Sequence, residues 1–201
     1  MTNLITYDYF INDINIPSHD VNSISKITNA ITRFQEEVLR SLLGDKLYDA
    51  FNLGLSVPSP LTKWINLRDG GVTFDIVVDG ETITKTWGGL ANSTTKQSLI
   101  AYYVYFNYRK SYDVFYTGNS QSKSMSENSE GVDPSVNLTY IYNKFVEMYG
   151  KLPVSLFYPY TPVANTFYYD EASAYNFLMA NIATYTDWRF TPKPIINPFG
   201  I

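Results

Sequence analysis

Apolar residues recur along the stretch from Ile24 to Phe51 at the spacing of one helix face. Ile24, Ile27, Ile31, Phe34 and Val38 stand three or four positions apart, which stacks their side chains on one side of an α-helix. Asn22 and Ser23 precede the first periodic residue and can cap its free backbone N–H groups with a side-chain oxygen. Gln35, Glu36, Glu37 and Arg40 fall mainly on the opposite face. Leu42 and Leu43 lead into Gly44, which can take the left-handed conformation that ends a helix. Asp45 is placed to cap a second, short helix, whose Leu47, Tyr48 and Phe51 form a new apolar face before Gly54. Taken alone, this block is a core helix pair of any globular domain.

The pattern changes on both sides of it. Residues Thr2 to Asp20 mix Asn, Asp, Pro17 and scattered aromatics and are expected to be an extended lead. Ser59-Pro60 resembles an N-cap followed by proline at the first helical position, predicting a short helix with Leu61, Trp64, Ile65 and Leu67 that ends near Gly70-Gly71. Val72 to Val78 and Glu81 to Trp87 are β-rich runs flanking Asp79-Gly80. A two-residue connection of that type specifies a tight hairpin, because both positions accept positive φ. A lone hairpin is marginal in water, so this one must lie on something. In Trp87-Gly88-Gly89-Leu90 the glycines permit a sharp redirection, and the tryptophan is expected to pin it to the core.

Thr94-Thr95-Lys96-Gln97 matches a capping box and predicts a helix from Ser98 to Tyr112. Its run Leu99 to Phe106 is apolar on all sides, so the helix is expected to be central or at an interface. Gly118 to Gly131 is the reverse: Ser120, Ser122, Ser124, Ser126 and Ser129 accompany one apolar side chain, Met125. It buries too little to offset its ordering entropy, and contacts within an assembly are expected to hold it. Asp133-Pro134 predicts another helix start, with Val136, Tyr140, Phe145 and Met148 approximating one face and Gly150 the stop. Leu152 to Tyr169, rich in proline and aromatics, is expected to be an extended arm. Asp170 is placed to cap a helix with Ala174, Phe177, Leu178 and Ile182. The tail from Phe190 to Ile201 contains Pro192, Pro194 and Pro198 and is apolar. It is expected to dock, on a neighbour or on its own domain. No internal repeat is present.

The fold class expected is therefore mainly α: a small helical bundle with one inserted β-hairpin, an extended polar loop and a long C-terminal arm. The organisation expected is a lead over 1–21, a core over 22–150 with the hairpin at 72–87 and the polar loop at 113–132, and an aromatic, proline-rich arm with one helix over 151–201.

Composition sharpens the functional side. The 201 residues carry 18 Tyr, 12 Phe and 3 Trp. Tyrosine joins a large apolar body to a polar tip, which suits surfaces buried only on association; a Tyr-rich core is the alternative, and the two are compatible. The net charge of −4 and the lack of a basic cluster argue against tight DNA binding. With no cysteine there are no disulfides, thiolate metal sites or Cys nucleophiles, a composition that fits a reducing compartment. Met1 to Phe10 lacks the pattern of a signal peptide, and Leu99 to Phe106 is too short to span a bilayer.

Chemistry is sparse. His19 is the single histidine and sits in a polar turn beside Asp20. Gly88-Gly89 lacks the Lys-Ser/Thr of a phosphate loop. Asp8, Asp13 and Asp20 are spaced too irregularly for an EF-hand, and Glu36-Glu37 is most simply a solvated face. No catalytic residue, cofactor site or metal site is expected, and the chain is not expected to be an enzyme.

The order of motifs carries more. Ile27-x3-Ile31-x3-Gln35-x3-Leu39 runs into Leu42-Leu43-Gly44-x2-Leu47-Tyr48. Trp64-x2-Leu67-x2-Gly70 follows, then the hairpin, Trp87-Gly88-Gly89-Leu90 and Ala101-Tyr102-Tyr103-x-Tyr105-x2-Tyr108. In this pattern and order the chain resembles the head–tail connector (adaptor) proteins of tailed bacteriophages, in particular the neck ring proteins of crAss-like phages. The motifs are loose and cover Ile24 to Tyr112. The hairpin and the long aromatic arm depart from the minimal connector and leave the ring position open.

The resemblance implies a helical-bundle subunit that forms a ring, a dodecamer, beneath the portal, extending the DNA channel and offering the tail a docking face. Its implied partners are itself, the portal protein and other neck or tail proteins. Genomic DNA would pass without specific binding, and no membrane is involved. The implied location is the virion neck, after the host cytoplasm before assembly. The candidate interface residues are Tyr158, Tyr160, Phe167, Tyr168, Trp188, Phe190, Ile195, Ile196, Phe199 and Ile201. Two other readings stay open: another virion part, such as a tail-completion or capsid-associated protein, and a monomeric module using its aromatics on sugar or peptide.

Overall fold

In the computed structural model, residues 2–16, 21–78, 80–112, 114–117, 120–123, 134–150 and 172–193 are described. They form a mainly helical bundle with an inserted two-stranded hairpin, as the sequence predicts. The helices are α1 (Val21–Ser56), α2 (Thr62–Asp69), α3 (Leu99–Tyr112), α4 (Pro134–Tyr149) and α5 (Ala174–Asn181). The strands are β1 (Val72–Val78), β2 (Glu81–Trp87), β3 (Val114–Thr117) and β4 (Ser120–Lys123).

α3 is the central element, packed between α1 and α4. Ile100, Ala101, Val104, Tyr105 and Phe106 are all buried, as its all-round apolar character requires. α1 is two helical limbs joined at Gly44, whose φ of 73° and ψ of 162° break the helix. The buried stripe of its first limb is Ile27, Ala30, Ile31, Phe34, Val38, Leu39, Leu42 and Leu43, while Ile24 is exposed. Gln35 also turns inward, at 3% exposure. Its Oε1 accepts from the Leu4 N–H at 2.7 Å and the Ile5 N–H at 3.4 Å, so a buried amide meets the backbone of the N-terminal segment. That segment is not a loose lead. It contains two single-turn 3-10 helices, Tyr7–Tyr9 and Asn12–Ile14, and Ile5, Tyr9, Phe10, Ile14 and Ile16 belong to the core.

The β1–β2 hairpin keeps the expected bounds, pairing Val78 with Glu81 and Val72 with Trp87. Phe74 and Ile76 are buried on one face, with α5 packed against β1. The return from β2 completes the end of α2. The last carbonyls of a helix lack intrahelical partners. Here Leu67 O accepts from Leu90 N at 3.1 Å and from the Trp87 indole N–H at 3.2 Å. Arg68 O accepts from Ala91 N at 2.8 Å, and Asp69 O from the Asn92 side chain at 2.8 Å. Trp87 thus pins the turn as expected.

Several helix starts differ from the local pattern. α2 begins after Leu61 with no side-chain cap, two positions past the Ser59-Pro60 signal. The capping box at Thr94 does not form. Thr94 and Thr95 N–H both donate to Asn92 Oδ1 at 2.9 Å, and Ser98 caps α3 by accepting from Ile100 N and Ala101 N at 3.1 and 3.2 Å. Its hydroxyl also donates to Leu90 O at 2.7 Å. Ser173, not Asp170, caps α5, accepting from Asn176 N. In α4 the buried face is Ile141, Tyr142, Phe145, Val146 and Tyr149, with Tyr140 exposed. Part of the expected polar loop is the β3–β4 ladder, pairing Val114 with Lys123 and Thr117 with Ser120. The arm over 152–169 and His19 lie outside the described residues.

Ser98→Ala is expected to lower stability by about 1–2 kcal/mol through loss of the cap and its tether to Leu90. Thr94→Ala should cost less than about 0.5 kcal/mol, as at an ordinary surface site. Urea unfolding midpoints of the two variants check this, and equal losses would return the cap to Thr94.

Candidate interaction surfaces

All three tryptophans stand in one aromatic column. Phe51 meets Trp64 edge-on at 6.0 Å, Trp64 stacks on Trp188 at 5.8 Å, and Trp188 meets Phe177 at 6.3 Å. Phe177 in turn stacks on Trp87 at 5.0 Å and takes the Phe74 edge at 5.5 Å. Tyr185 packs on Trp188 at 4.6 Å. The column fastens α5 and the chain after it to α1, α2 and the hairpin. A Lys63–Asp187 ion pair at 2.5 Å lies beside it.

Beyond Trp188 the chain runs along α1. The break at Gly44 frees carbonyls that a continuous helix would have used. Leu43 O accepts from Thr191 N at 3.3 Å and Ser41 O from Lys193 N at 2.7 Å. The Tyr149 hydroxyl shares its one proton between Ser41 O at 2.7 Å and Lys193 O at 3.0 Å, tying this segment to α4. Gly44 is required there twice over: its φ is positive, and a Cβ would lie 3.0 Å from Thr191 N.

These contacts sort the candidate interface residues. Trp188 is 1% exposed and belongs to this subunit's own core, so it is not available to a neighbour. Its pairing with Trp64 and Phe177 is tertiary and has no local signature. Phe190 is partly buried against the core, with its ring 6.1 Å from Tyr175. Tyr158, Tyr160, Phe167, Tyr168, Ile195, Ile196, Phe199 and Ile201 lie outside the described residues. Of the two alternatives for the tail, its own domain holds the stretch through Lys193.

The exposed apolar side chains lie elsewhere. Leu53, in the last turns of α1, is 70% exposed, and Val57 43% and Leu61 62% on the connection to α2. From Ala50 to Thr62 the chain carries no charged residue. Val77 on β1, Met179 on α5 and Ile182 after it are also exposed. The signal for the first group is in the sequence: Leu53 and Leu61 flank a Gly-, Ser- and Pro-rich stretch, and Leu61, expected on the short helix with Trp64, instead precedes it as the N-cap residue.

Several charged groups are paired at the surface. Arg40 bonds Glu36 at 2.8 Å and Asp45 at 2.9 Å and lies 4.2 Å from the centre of the Tyr48 ring. Lys96 pairs with Asp8, which holds that carboxyl below its usual value. Among the described residues no acidic or histidine cluster has metal-ligand geometry, and no helix is long and apolar enough to cross a membrane. A cleft lined by Trp87, Gly88, Gly89, Gln97, Leu99 and Met148 has a volume of about 170 Å³, below the roughly 300–1,000 Å³ of typical ligand pockets.

Burial raises several phenols among the described residues, Tyr103, Tyr142 and Tyr149 the most. Tyr142 is pushed up to about 12 by desolvation. Tyr149 rises for the same reason, and Tyr103 rises through desolvation and its 2.5 Å hydrogen bond to Glu37. A folded-state value above the unfolded one means that stability is complete below about pH 10 and falls as pH climbs from there toward the folded value. Urea midpoints should therefore hold between pH 7 and 9 and drop between pH 10 and 12. The phenolate absorbance of these three groups should rise only with unfolding. A midpoint unchanged at pH 11.5 would contradict this.

No family model, curated protein or solved structure matches the chain.

Proposed function

We propose that this chain is a structural subunit of a bacteriophage neck, forming a ring between portal and tail that extends the DNA channel and gives the tail a docking surface. The observation that carries the reading is the sequence of elements. A helix pair broken at Gly44, a short helix closed by Gly70, a hairpin, the Trp87-Gly88-Gly89-Leu90 return and a central aromatic helix follow one another. That is the order in which the connector resemblance places them. The packed core supplies a rigid body, and the uncharged apolar stretch at Leu53 to Leu61 supplies surface suited to burial in an assembly. A ring needs two different complementary surfaces on each subunit. A mildly acidic subunit would repel DNA from a channel wall, which suits passage rather than capture. The dodecameric state and the portal as neighbour come from the resemblance.

The test is electron microscopy of the chain expressed with the portal protein of the same genome. Closed rings seated on the portal are expected, even where the isolated chain is monomeric. Portal particles with bare lower faces, together with saturable glycan or peptide binding by the monomer, would replace the neck reading with a binding module.

A further inference from the structure

The two edges of the β1–β2 hairpin differ. α5 packs against β1, while β2 has β1 as its substantial neighbour among the described elements. The register says which backbone groups of β2 face outward. A two-residue connection makes its closing pair, Val78 and Glu81, a hydrogen-bonded one. Trp87 agrees, because its carbonyl accepts from Gly71 N at 2.8 Å and so points toward β1. Successive residues of a strand turn their N–H and C=O to opposite sides. Thr82, Thr84 and Thr86 therefore turn theirs away from β1. No hydrogen bond from the described residues reaches these backbone groups, and all three residues are exposed.

Proteins commonly blunt such an edge with proline, a bulge or a very short strand. β2 is seven residues long, Glu-Thr-Ile-Thr-Lys-Thr-Trp, with neither proline nor glycine. Its two charges are opposite in sign and stand two positions either side of Ile83. That spacing is self-complementary. When a second β2 runs antiparallel with Ile83 facing Ile83, Glu81 stands opposite Lys85 at both ends, and Thr82 and Thr84 exchange the backbone bonds. The charged pairs and the isoleucines then fall at the non-hydrogen-bonded positions, where side chains approach most closely. Ile83 is only partly buried against the core, so its remaining surface is covered. Centring the pair on Thr84 would set both charges against apolar residues, and centring it on Lys85 would set like charges together. Only the sign of Lys85 matters here, since a lysine has three donors and can keep a partner in its own subunit. A strand cannot pair with itself, so the matching edge exists on another copy; β3 and β4 already pair with each other.

We propose that β2 pairs with β2 of a second copy of this chain about a two-fold axis between the Ile83 residues, joining two hairpins into one four-stranded sheet. The contact is isologous, so it makes pairs and goes no further. It lies beyond the neck reading, whose ring contacts are heterologous and use other surfaces, and it does not rest on that reading. An edge contact of this size falls below the standard interface area, so the pair is a weak one.

The experiment reverses charges in the full chain. Sedimentation over a concentration series reaching the millimolar range should show the parent passing from monomer to dimer. Glu81→Lys and Lys85→Glu should each weaken the dimer by about tenfold or more, because each sets like charges opposite at both ends of the contact. An equimolar mixture of the two variants should dimerise at least as well as the parent, since every lysine then meets a glutamate. Thr84→Pro removes an outward N–H at an edge position where proline is tolerated. It should abolish the dimer while its circular dichroism matches the parent. Glu81→Lys and Thr84→Pro carry the test if Lys85→Glu does not fold. A parent that stays monomeric throughout overturns the proposal, including the case in which a segment of the same chain covers β2. A dimer indifferent to these substitutions overturns it too, as does a mixture of folded variants no tighter than its components. Rings seated on the portal bear on the neck reading alone.

Discussion

Trp188→Ala should be the most damaging side-chain truncation tested, with an expected loss of about 3–5 kcal/mol, the range for deleting a large buried aromatic. Domains of this kind have total stabilities of about 5–15 kcal/mol, so the variant is expected to melt roughly 10 °C or more below the parent. The reason is position. Trp188 is in contact with Trp64, Phe177 and Tyr185 at once, and through them it holds α5 and the segment after it on α2 and the hairpin. Removing it leaves a cavity lined by rings that belong to different elements and cannot collapse together. Its indole N–H has no acceptor among the described residues, so Trp188→Phe discards an unpaired buried donor while retaining a ring. That variant should lose less than half as much. Thermal unfolding followed at 222 nm separates the two, and an alanine loss under about 1 kcal/mol would show that the column does not fasten this segment.

Gly89→Ala should be comparably severe for a different reason. Gly89 has φ +92°, and a Cβ there would lie 2.5 Å from the Asp69 carbonyl carbon and 2.7 Å from Arg68 O. Both opposing atoms are backbone, so no side-chain rotation relieves the clash. The displaced turn would also surrender the bonds that satisfy the α2 carbonyls from Leu67 to Asp69. A loss above about 3 kcal/mol is expected, from adding close-range strain to unpaired buried carbonyls. Gly71→Ala is the control. Its φ of +76° is similar, but nothing lies within 4 Å of the added Cβ, so it should cost only the left-handed penalty of about 1–2 kcal/mol. Equal losses at the two positions would mean that backbone strain, not close approach, dictates glycine at residue 89.

These two sites differ in how far the sequence revealed them. The Trp87-Gly88-Gly89-Leu90 return was legible, because paired glycines after a β-run have few other uses. What Gly89 approaches was not legible: the end of α2 is twenty residues away, and only the paired strands bring it near. Trp188 is a candidate interface residue on sequence, and the tail from Phe190, which has no local partner for its backbone, is left open between a neighbour and its own domain. The partners are Ser41 and Leu43 carbonyls set free by the break at Gly44. Gln35 was misplaced for a related reason. Polar residues at the edge of an apolar stripe are assigned outward by periodicity, and this one turns inward because the N-terminal segment brings two backbone N–H groups to it.

The amino-acid sequence alone determined the elements that rest on short-range sterics and period. These are the hairpin about Asp79-Gly80, the helix ends at Gly44, Gly70 and Gly150, and the central place of α3, whose run Leu99 to Phe106 is apolar on all sides. Each depends on φ preferences or side-chain spacing within a few residues. Tertiary structure alone decided which cap is used, which edge of a stripe is buried, and which aromatics are core and which surface. Those outcomes depend on groups brought together from distant parts of the chain. Ser98 displaces Thr94 as a cap because its hydroxyl also reaches Leu90, and Trp188 becomes core because Trp64 and Phe177 receive it. Leu53 and Leu61 remain at the surface because no other part of the described subunit covers them.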